Sequence, residues 1–334
     1  MEFKTNVMGH SKEFRLRRFS NWFPLGLTYA AFYMGRYNLN VSSKTIMDLF
    51  NLSKADFGII ATAGFWTYAL SVIINGPLAD KIGGKKAILL GALGSTIVNL
   101  IVGLLFLNGW QTKIILGMSL LYSANQYFQS FGALSVVKVN SSWFHVKERG
   151  VFGGIFGIMI SSGYFLALTI GGYILSLLPW YYVFIIPAGL IFIMFIIDSF
   201  LVKDKPSQAG YNDFNTGDAS SNDPEKDKPV DWGYLLKKVF TNPIIITIMV
   251  AEFCTGFVRQ GLLLWVVPFL KEVHQIEHGT ALYNIATLGI TVGGILGGLL
   301  CGFLSDKIFH SRRPPVAFIF YIGQIIFVLL LGQI

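Results

Sequence analysis

Charged side chains are scarce in this chain. Aspartate, glutamate, lysine and arginine make up 13% of its 334 residues, against about 25% in an ordinary soluble domain. Hydrophobic residues account for 53%, and the mean hydropathy is +0.59. So apolar a composition excludes both a typical soluble domain and a disordered chain, because each of these needs a larger polar share.

Cysteine and histidine are also rare. The two cysteines, Cys254 and Cys301, fall inside apolar runs without disulfide or metal-ligand spacing, so we expect buried free thiols. All five histidines fall outside those runs, and the sequence contains neither a nucleophile–base pair nor a phosphate-cradling glycine loop. We therefore expect no enzymatic activity, no metal and no cofactor.

The chain does contain a series of apolar runs of roughly 20 residues, each long enough to cross a hydrocarbon core of about 30 Å. Backbone groups inside lipid must form their hydrogen bonds within the segment, which predicts helices. The predicted fold class is an all-α membrane protein surrounded by the lipid bilayer. Nine spans are predicted, at 22–43, 57–79, 87–108, 112–139, 150–178, 180–202, 243–271, 279–305 and 315–334.

Lysines and arginines are distributed unevenly between the ends of these spans. With the N-terminus in the cytoplasm, 20 of the 26 lie on the cytoplasmic side, four on the far side and two within the membrane. Basic residues favour the cytoplasmic side of a membrane. This distribution therefore predicts a multi-pass protein of a plasma membrane, such as the bacterial inner membrane, with its N-terminus in the cytoplasm. It also explains the formal charge of +8 without a nucleic-acid partner.

The spans fall into two groups separated by a polar stretch. Residues 203–231 are rich in glycine, proline, serine and asparagine, which indicates a solvated linker. The following segment, WGYLLKKVF, has one apolar helical face, which is typical of a helix lying on a membrane surface. We predict a six-helix bundle over 1–202, a cytoplasmic linker with an interfacial helix over 203–242, and three helices of a second bundle over 243–334.

Two loops share a pattern. GPLADKIGGKK begins at 76 and GFLSDKIFHSRR at 302, an offset of 226 residues, and each has a glycine, three residues, Asp-Lys-Ile and then a basic pair. The glycine would allow close helix approach, and the aspartate could engage a neighbouring helix end or basic residue. This pattern predicts a gating element, although an ordinary positive-inside loop is an alternative. The predicted gating residues are Gly76, Asp80, Lys81, Gly83, Lys85, Lys86 and Asp306.

Two arginines, Arg36 and Arg259, lie inside predicted spans at nearly equivalent places in the two halves. A charged side chain at mid-bilayer costs about 2.5–3.5 kcal/mol on insertion scales, so it indicates a water-filled site with a ligand of opposite charge. The planar guanidinium suits phosphate or carboxylate. One alternative is that each arginine pairs with a buried acid; Glu252, two turns from Arg259, is a candidate for such a pair or for a proton-coupling site.

At these residues the chain resembles a known group of proteins. The loop at 76–86 matches the major facilitator signature G-x-x-x-D-K-x-G-x-K-K in every fixed position. Four further segments resemble the organophosphate:phosphate antiporters, which include glycerol-3-phosphate and hexose-6-phosphate carriers: YAAFYMGR (29–36), FQSFGALSVVKVNSSWFHVKERG (128–150), RQGLLLWVVPFLKEV (259–273) and LLCGFLSDKIF (299–309). The resemblance covers the whole chain and implies the major facilitator fold, truncated here after the ninth helix.

The resemblance also implies a site. In that family, arginines on the first and seventh helices hold the phosphate, and they correspond to Arg36 and Arg259. Family residues that line the site correspond to Tyr29, Tyr33, Tyr68 and Gln129. The histidine of the fifth-helix signature R-G-x5-W-N-x2-H-N is absent, because the motif reads Arg149-Gly150, then Phe156-Gly157 and Ile160-Ser161. Residues without charge also replace charged family residues at Tyr37, Val72, Leu264 and Thr291.

The sequence therefore favours a secondary transporter, acting as a monomer, that exchanges a small phosphorylated metabolite for inorganic phosphate. Arg36 and Arg259 would bind the phosphoryl group, and the two halves would rock about this site. Two alternatives stay open. One is a proton-coupled carboxylate symporter in which Glu252 carries the proton, and the other is a sugar-phosphate sensor that binds without transport.

Overall fold

Helices make up the regular structure of the computed structural model, which describes residues 10–217, 232–310, 312–331 and 333. The first half contains α1 (Lys12–Val41), α2 (Ser43–Phe50), α3 (Lys54–Ile82), α4 (Gly84–Leu107), α5 (Ile114–Gln129), α6 (Phe131–Trp143), α7 (Arg149–Tyr164), a π-helical segment (Phe165–Ile170), α8 (Gly171–Leu177) and α9 (Tyr182–Leu201). The second contains α10 (Trp232–Thr241), α11 (Pro243–Glu272), α12 (Ala281–Phe303), a π-helical segment (Leu304–Ile308) and α13 (Arg313–Leu331).

All nine predicted spans coincide with helices, but they differ in apolar length. In the described residues, seven helical segments are long and apolar enough to cross a membrane. The spans predicted at 22–43 and 112–139 fall short of this. In α1 the reason is composition, because Arg36, Asn38 and Asn40 interrupt the apolar sequence.

The span predicted at 112–139 is divided at Ser130 into α5 and α6. The Ser130 hydroxyl donates to the Tyr127 carbonyl at 2.7 Å and accepts from Asn75 Nδ2 at 2.8 Å. Local side-chain bonds of this kind compete with the helical backbone ladder and bend helices. The irregularity comes directly after Gln129, one of the predicted site residues.

The first-half helices pack around α1. Nineteen of its 30 residues are buried, and it contacts α4, α5, α6, α7 and α9. Its Ser11 side chain caps the N-terminus by accepting from the Phe14 amide at 3.2 Å. Close approach of α7 depends on Gly163, where an added Cβ would lie 2.7 Å from the Tyr33 Cβ. This packing places α7 against the face of α1 that carries Tyr33.

The two halves meet at one end of the bundle. We call the end that carries Arg17, Lys85 and Lys138 the basic end, and the other the opposite end. At the opposite end, Glu272 of α11 lies 3.4 Å from Lys44 and 2.6 Å from Lys54. Further contacts join α1 to α11, and join α12 to both α7 and the Phe165–Ile170 segment, so we describe this end as closed.

The loop at 76–86 lies at the basic end and joins α3 to α4. Asp80 pairs with Lys138 of α6 at 2.7 Å, within the first half. The expected close approach at Gly76 is wrong for this structure, because an added Cβ there would meet no atom within 4 Å. Gly83 is needed instead, since its φ of 92° lies in the left-handed region and Asp204 approaches closely.

The other predicted gating residues have different surroundings. The Lys85 amide donates to Asp204 at 2.7 Å, and its ammonium group donates to the Ser199 carbonyl at 2.6 Å. Lys81 and Lys86 are exposed. Asp306 lies in the Leu304–Ile308 π-helical segment, and its side chain is outside the described part of the structure.

The second half is more open than the first. Both cysteines are exposed free thiols, so the expectation of buried thiols is wrong. Their helices, α11 and α12, bury few residues, because most of their apolar side chains face outward. Residues 232–241 form the helix α10, which agrees with the helical periodicity of WGYLLKKVF. Residues 218–231 of the predicted linker lie outside the described residues.

Candidate anion-binding site

Arg36 lies in an aromatic and amide pocket. Its side chain is 8% exposed. The guanidinium carbon lies 4.7 Å from the ring centre of Tyr68 and 5.2 Å from that of Tyr33, both within the range of cation–π attraction. Arg36 makes no ion pair with an acid in the described part of the chain, so the alternative of a buried Arg36–acid pair does not apply to this structure.

Gln129 is the polar neighbour of Arg36. The Arg36 Nη2 donates to both the backbone carbonyl and the side-chain Oε1 of Gln129, each at 3.5 Å. These bonds are long, and Arg36 Nε is buried without a hydrogen-bond partner. Gln129 itself is 0% exposed. It therefore lies behind Arg36 in this structure and does not line an open surface.

Tyrosines extend along α1 from this pocket. Successive ring centres of Tyr29, Tyr33 and Tyr37 lie 5.4 and 5.6 Å apart. This spacing follows from positions four residues apart, which share one helical face. Tyr164 of α7 contacts this row of tyrosines edge-on, with its ring centre 5.0 Å from that of Tyr33.

Arg259 lies in a different setting. It is exposed and lines a cavity of about 1060 Å³ formed by α7, α11, α12 and α13. The wall of this cavity also includes Tyr164 and Gln324. Glu252 is exposed and forms no ion pair with Arg259, so the predicted competing pair is not formed.

Tyr164 connects the surroundings of the two arginines. Arg36 does not line the cavity of Arg259, whereas Tyr164 lines it and also contacts Tyr33 and Tyr37. The Tyr37 hydroxyl donates to Gln260 Oε1 at 3.3 Å, which joins α1 to α11 beside Arg259. The two guanidinium groups thus lie on opposite sides of a tyrosine layer.

Tyr164 and Gln260 are absent from the residues predicted from the sequence. Nothing in the α7 sequence distinguishes Tyr164 from a core aromatic residue, because its role depends on contact with Tyr33 across the bundle. Gln260 is adjacent to Arg259 in sequence, which is a local signal. Tyr37 replaces a basic residue of the resembling family, and its hydroxyl occupies the junction between the halves.

The arrangement is suited to binding an anion. Two positive charges are available on helices of different halves, and neither is neutralised by a described acid. Tyrosine hydroxyls supply further donors, and aromatic faces supply an apolar wall. In the described residues we find no cluster of histidine, cysteine, aspartate or glutamate suited to a metal ion.

Many secondary transporters are built from two related helical bundles with the binding site between them. Residues 25–334 match the family model of the Major Facilitator Superfamily, so the chain belongs to that family and is an integral membrane protein. The predicted fold class is confirmed.

Similar proteins include carriers of phosphorylated compounds and a sensor. The chain is 27% identical to the glycerol-3-phosphate transporter of Bacillus subtilis over 329 residues, which cover 95% of this chain and 71% of the relative. It is 23% identical to a probable hexose phosphate transport protein of Chlamydia trachomatis, again with coverage of 95% and 71%. It is also 25% identical to the membrane sensor protein UhpC of Salmonella typhimurium, with coverage of 89% and 66%.

These matches confirm the predicted resemblance to organophosphate carriers, and the chain spans about two thirds of the relatives' length. None of the three is an enzyme by name. In fold, the chain is similar to an inward-facing bacterial homologue of the human lysosomal transporter Spinster. The TM-score is 0.67 at 19% identity, over 91% of this chain and 65% of the other.

Proposed function

We propose that the protein transports a small organic phosphate anion and exchanges it for inorganic phosphate by alternating access. The observation that carries this proposal is the surroundings of Arg36. A buried guanidinium whose described neighbours are rings and an amide keeps a full positive charge with no counter-charge. A phosphoryl group would supply that charge.

The energetics favour reversible binding of an anion at Arg36. An unneutralised charge in a low-dielectric site costs several kcal/mol, and an anion that reaches it recovers part of this cost. Arg36 Nε has no hydrogen-bond partner and Nη2 has only long ones, so donors are available for phosphate oxygens. Arg259, on the other half, would complete the clamp when the halves close around the anion.

Exchange follows from the same electrostatics. The loaded carrier reorients more readily than a carrier with two unneutralised arginines, so outward passage of one anion is coupled to inward passage of another. We assign the basic end to the cytoplasm, in keeping with the positive-inside rule. The closed opposite end then faces outward, and Glu272 with Lys44 and Lys54 forms the outer closure.

Counterflow in proteoliposomes tests the proposal. Vesicles containing the purified chain are loaded with radioactive inorganic phosphate, and external unlabelled phosphate or glycerol 3-phosphate is added. We expect accelerated efflux of label, abolished by R36K and retained by R15K, because Arg15 is exposed on the same helix outside the site. Efflux that matches protein-free vesicles, together with no phosphate binding, would contradict the proposal.

A non-transporting sensor is a second candidate, because the relatives include a membrane sensor protein. The same experiment separates the two functions. A sensor would bind phosphate or a sugar phosphate through Arg36 but would give no counterflow. The carboxylate symporter has no comparable support, because Glu252 is exposed and does not line the cavity that contains Arg259.

A further inference from the structure

We propose that a relay of buried amides and one hydroxyl orients the Arg36 guanidinium for the anion, with Ser95 and Asn125 as positioning residues. The relay runs from the Gly35 carbonyl through Asn125, Ser95 and Gln129 to the Arg36 side chain. This inference rests on the proposed function, since it names the residues that prepare the same site.

The relay lies entirely inside the first half. Ser95, Asn99, Asn125 and Gln129 are between 0% and 3% exposed. Their polar atoms bond to one another, to the backbone and to the Arg36 and Asn38 side chains of α1. These residues come from α4 and α5, and Arg36 belongs to α1. Buried polar groups require such partners, because an unsatisfied one has lost its water without gaining a bond in return.

The direction of every hydrogen bond in the relay follows from the first acceptor, the Gly35 carbonyl. The Gly35 carbonyl can only accept, so the Asn125 Nδ2 donates to it, at 2.9 Å. The Asn125 Oδ1 must then face the other way, where the Ser95 hydroxyl donates to it at 2.7 Å. With its proton committed, the Ser95 oxygen accepts from Gln129 Nε2 at 2.9 Å.

Gln129 is thereby left with only one orientation. Its Nε2 faces Ser95, so its Oε1 faces Arg36 Nη2. The reverse orientation would place an amide donor against a guanidinium donor, which is repulsive. Because Gly35 and Arg36 are neighbours in the chain, the relay closes a ring that ties the guanidinium to its own backbone.

Two further observations support the ring. Asn99 donates to Asn125 Oδ1 at 2.9 Å and accepts from Asn38 of α1 at 2.6 Å, which reinforces the same geometry from α4. A Cβ added at Gly35 would lie 2.8 Å from Ile191 and within 3.5 Å of the Asn99 and Gln129 amide nitrogens. Glycine thus leaves room for the amides at this position.

A double-mutant cycle distinguishes positioning from simple packing. The variants are S95A, Q129A and the double variant, and T96V is the matched control because Thr96 is the adjacent buried hydroxyl and faces Ala188 instead. The probe is inorganic phosphate, titrated calorimetrically into the full chain. We expect S95A to weaken binding about tenfold in the native background and to have little effect in Q129A, with T96V unchanged.

A second readout does not need anion binding. We expect phenylglyoxal to modify Arg36 severalfold faster in S95A than in the native chain, measured by peptide mass spectrometry. If S95A fails to fold, N99L replaces it with a smaller expected effect of the same sign. If S95A lowers phosphate affinity equally in the native and Q129A backgrounds, or if the rate of Arg36 modification does not change, the relay is overturned. Absent phosphate binding with a faster modification rate would contradict the proposed function and leave the relay supported.

Discussion

The two helices that carry the arginines differ in how their surroundings prepare them. Helix α1 buries 19 of its 30 residues, and Arg36 is held by two rings and the Gln129 amide. Helix α11 buries five of its 30 residues, and Arg259 is exposed on a cavity wall. Under the proposed function, the Arg36 guanidinium is therefore positioned before the anion arrives, whereas the Arg259 guanidinium must be ordered by the anion. Side-chain ordering costs about 0.5–1.5 kcal/mol per immobilised side chain.

The largest expected effect tests this asymmetry directly. We expect R36K to weaken inorganic phosphate binding about 100-fold and R259K about tenfold, because a lysine keeps the charge but loses the planar fork that the pocket holds in place. Calorimetric titration of each variant measures the difference, with R15K as the unchanged control. If R36K and R259K lose the same phosphate affinity, the two arginines do not differ in how far they are positioned before the anion binds.

A second prediction concerns the rings that hold Arg36. Replacing Tyr68 with leucine should weaken phosphate binding by about five- to tenfold, since a cation–π contact contributes on the order of 1 kcal/mol. Y68F keeps the ring and should retain most of the affinity, which makes it the matched control. If Y68F and Y68L lose affinity equally, the hydroxyl and not the ring face is the relevant group.

The closure at the opposite end predicts a smaller effect. Glu272 bridges Lys44 and Lys54 across the halves, and exposed pairs contribute about 0–1 kcal/mol each. We expect E272Q to raise labelling of a cysteine placed at Leu264 a few-fold, in a background with Cys254 and Cys301 replaced by serine. K113Q, at an exposed lysine of the same end, should leave the labelling rate unchanged. Unaltered labelling in E272Q would mean that apolar packing alone closes this end.

The smallest effect on phosphate binding is expected at His278, which instead concerns the acid stability of the loop before α12. Burial, with the nearby charge of Lys271, lowers the pKa of His278 from 6.5 to about 4. The unfolded chain therefore takes up this proton first, and stability falls as the pH drops from about 6.5 to 4.

Replacing His278 with glutamine should remove part of that fall, on the order of 1–2 kcal/mol or a few degrees in the unfolding midpoint. Thermal unfolding between pH 7 and 4 measures it, with H274Q as the control. Phosphate affinity at pH 7 should not change, because the loop lies away from Arg36. An identical pH profile for H278Q and the native chain would contradict the assignment.

Prediction of the fold from the sequence succeeded where local composition is decisive. Long apolar runs dictate membrane helices, because unsatisfied backbone groups are too costly in lipid. The division at Ser130 was not predicted, since it depends on a bond from Asn75 of another helix. Burial of the cysteines was predicted incorrectly, because an apolar run does not reveal which of its faces has a neighbour.

The sequence by itself determined the helices, the repeated pattern at 76–86 and 302–313, and the unusual placement of Arg36 and Arg259 within apolar runs. Each of these is a local property, set by hydropathy and by the cost of a charge in lipid. Only the tertiary structure decided that Tyr164 contacts Tyr33 while lining the cavity of Arg259, that Gln129 lies behind Arg36, and that Ser95 bonds to both Asn125 and Gln129. Those relations join α1, α4, α5 and α7, and contacts between different helices have no counterpart in the spacing of a single segment.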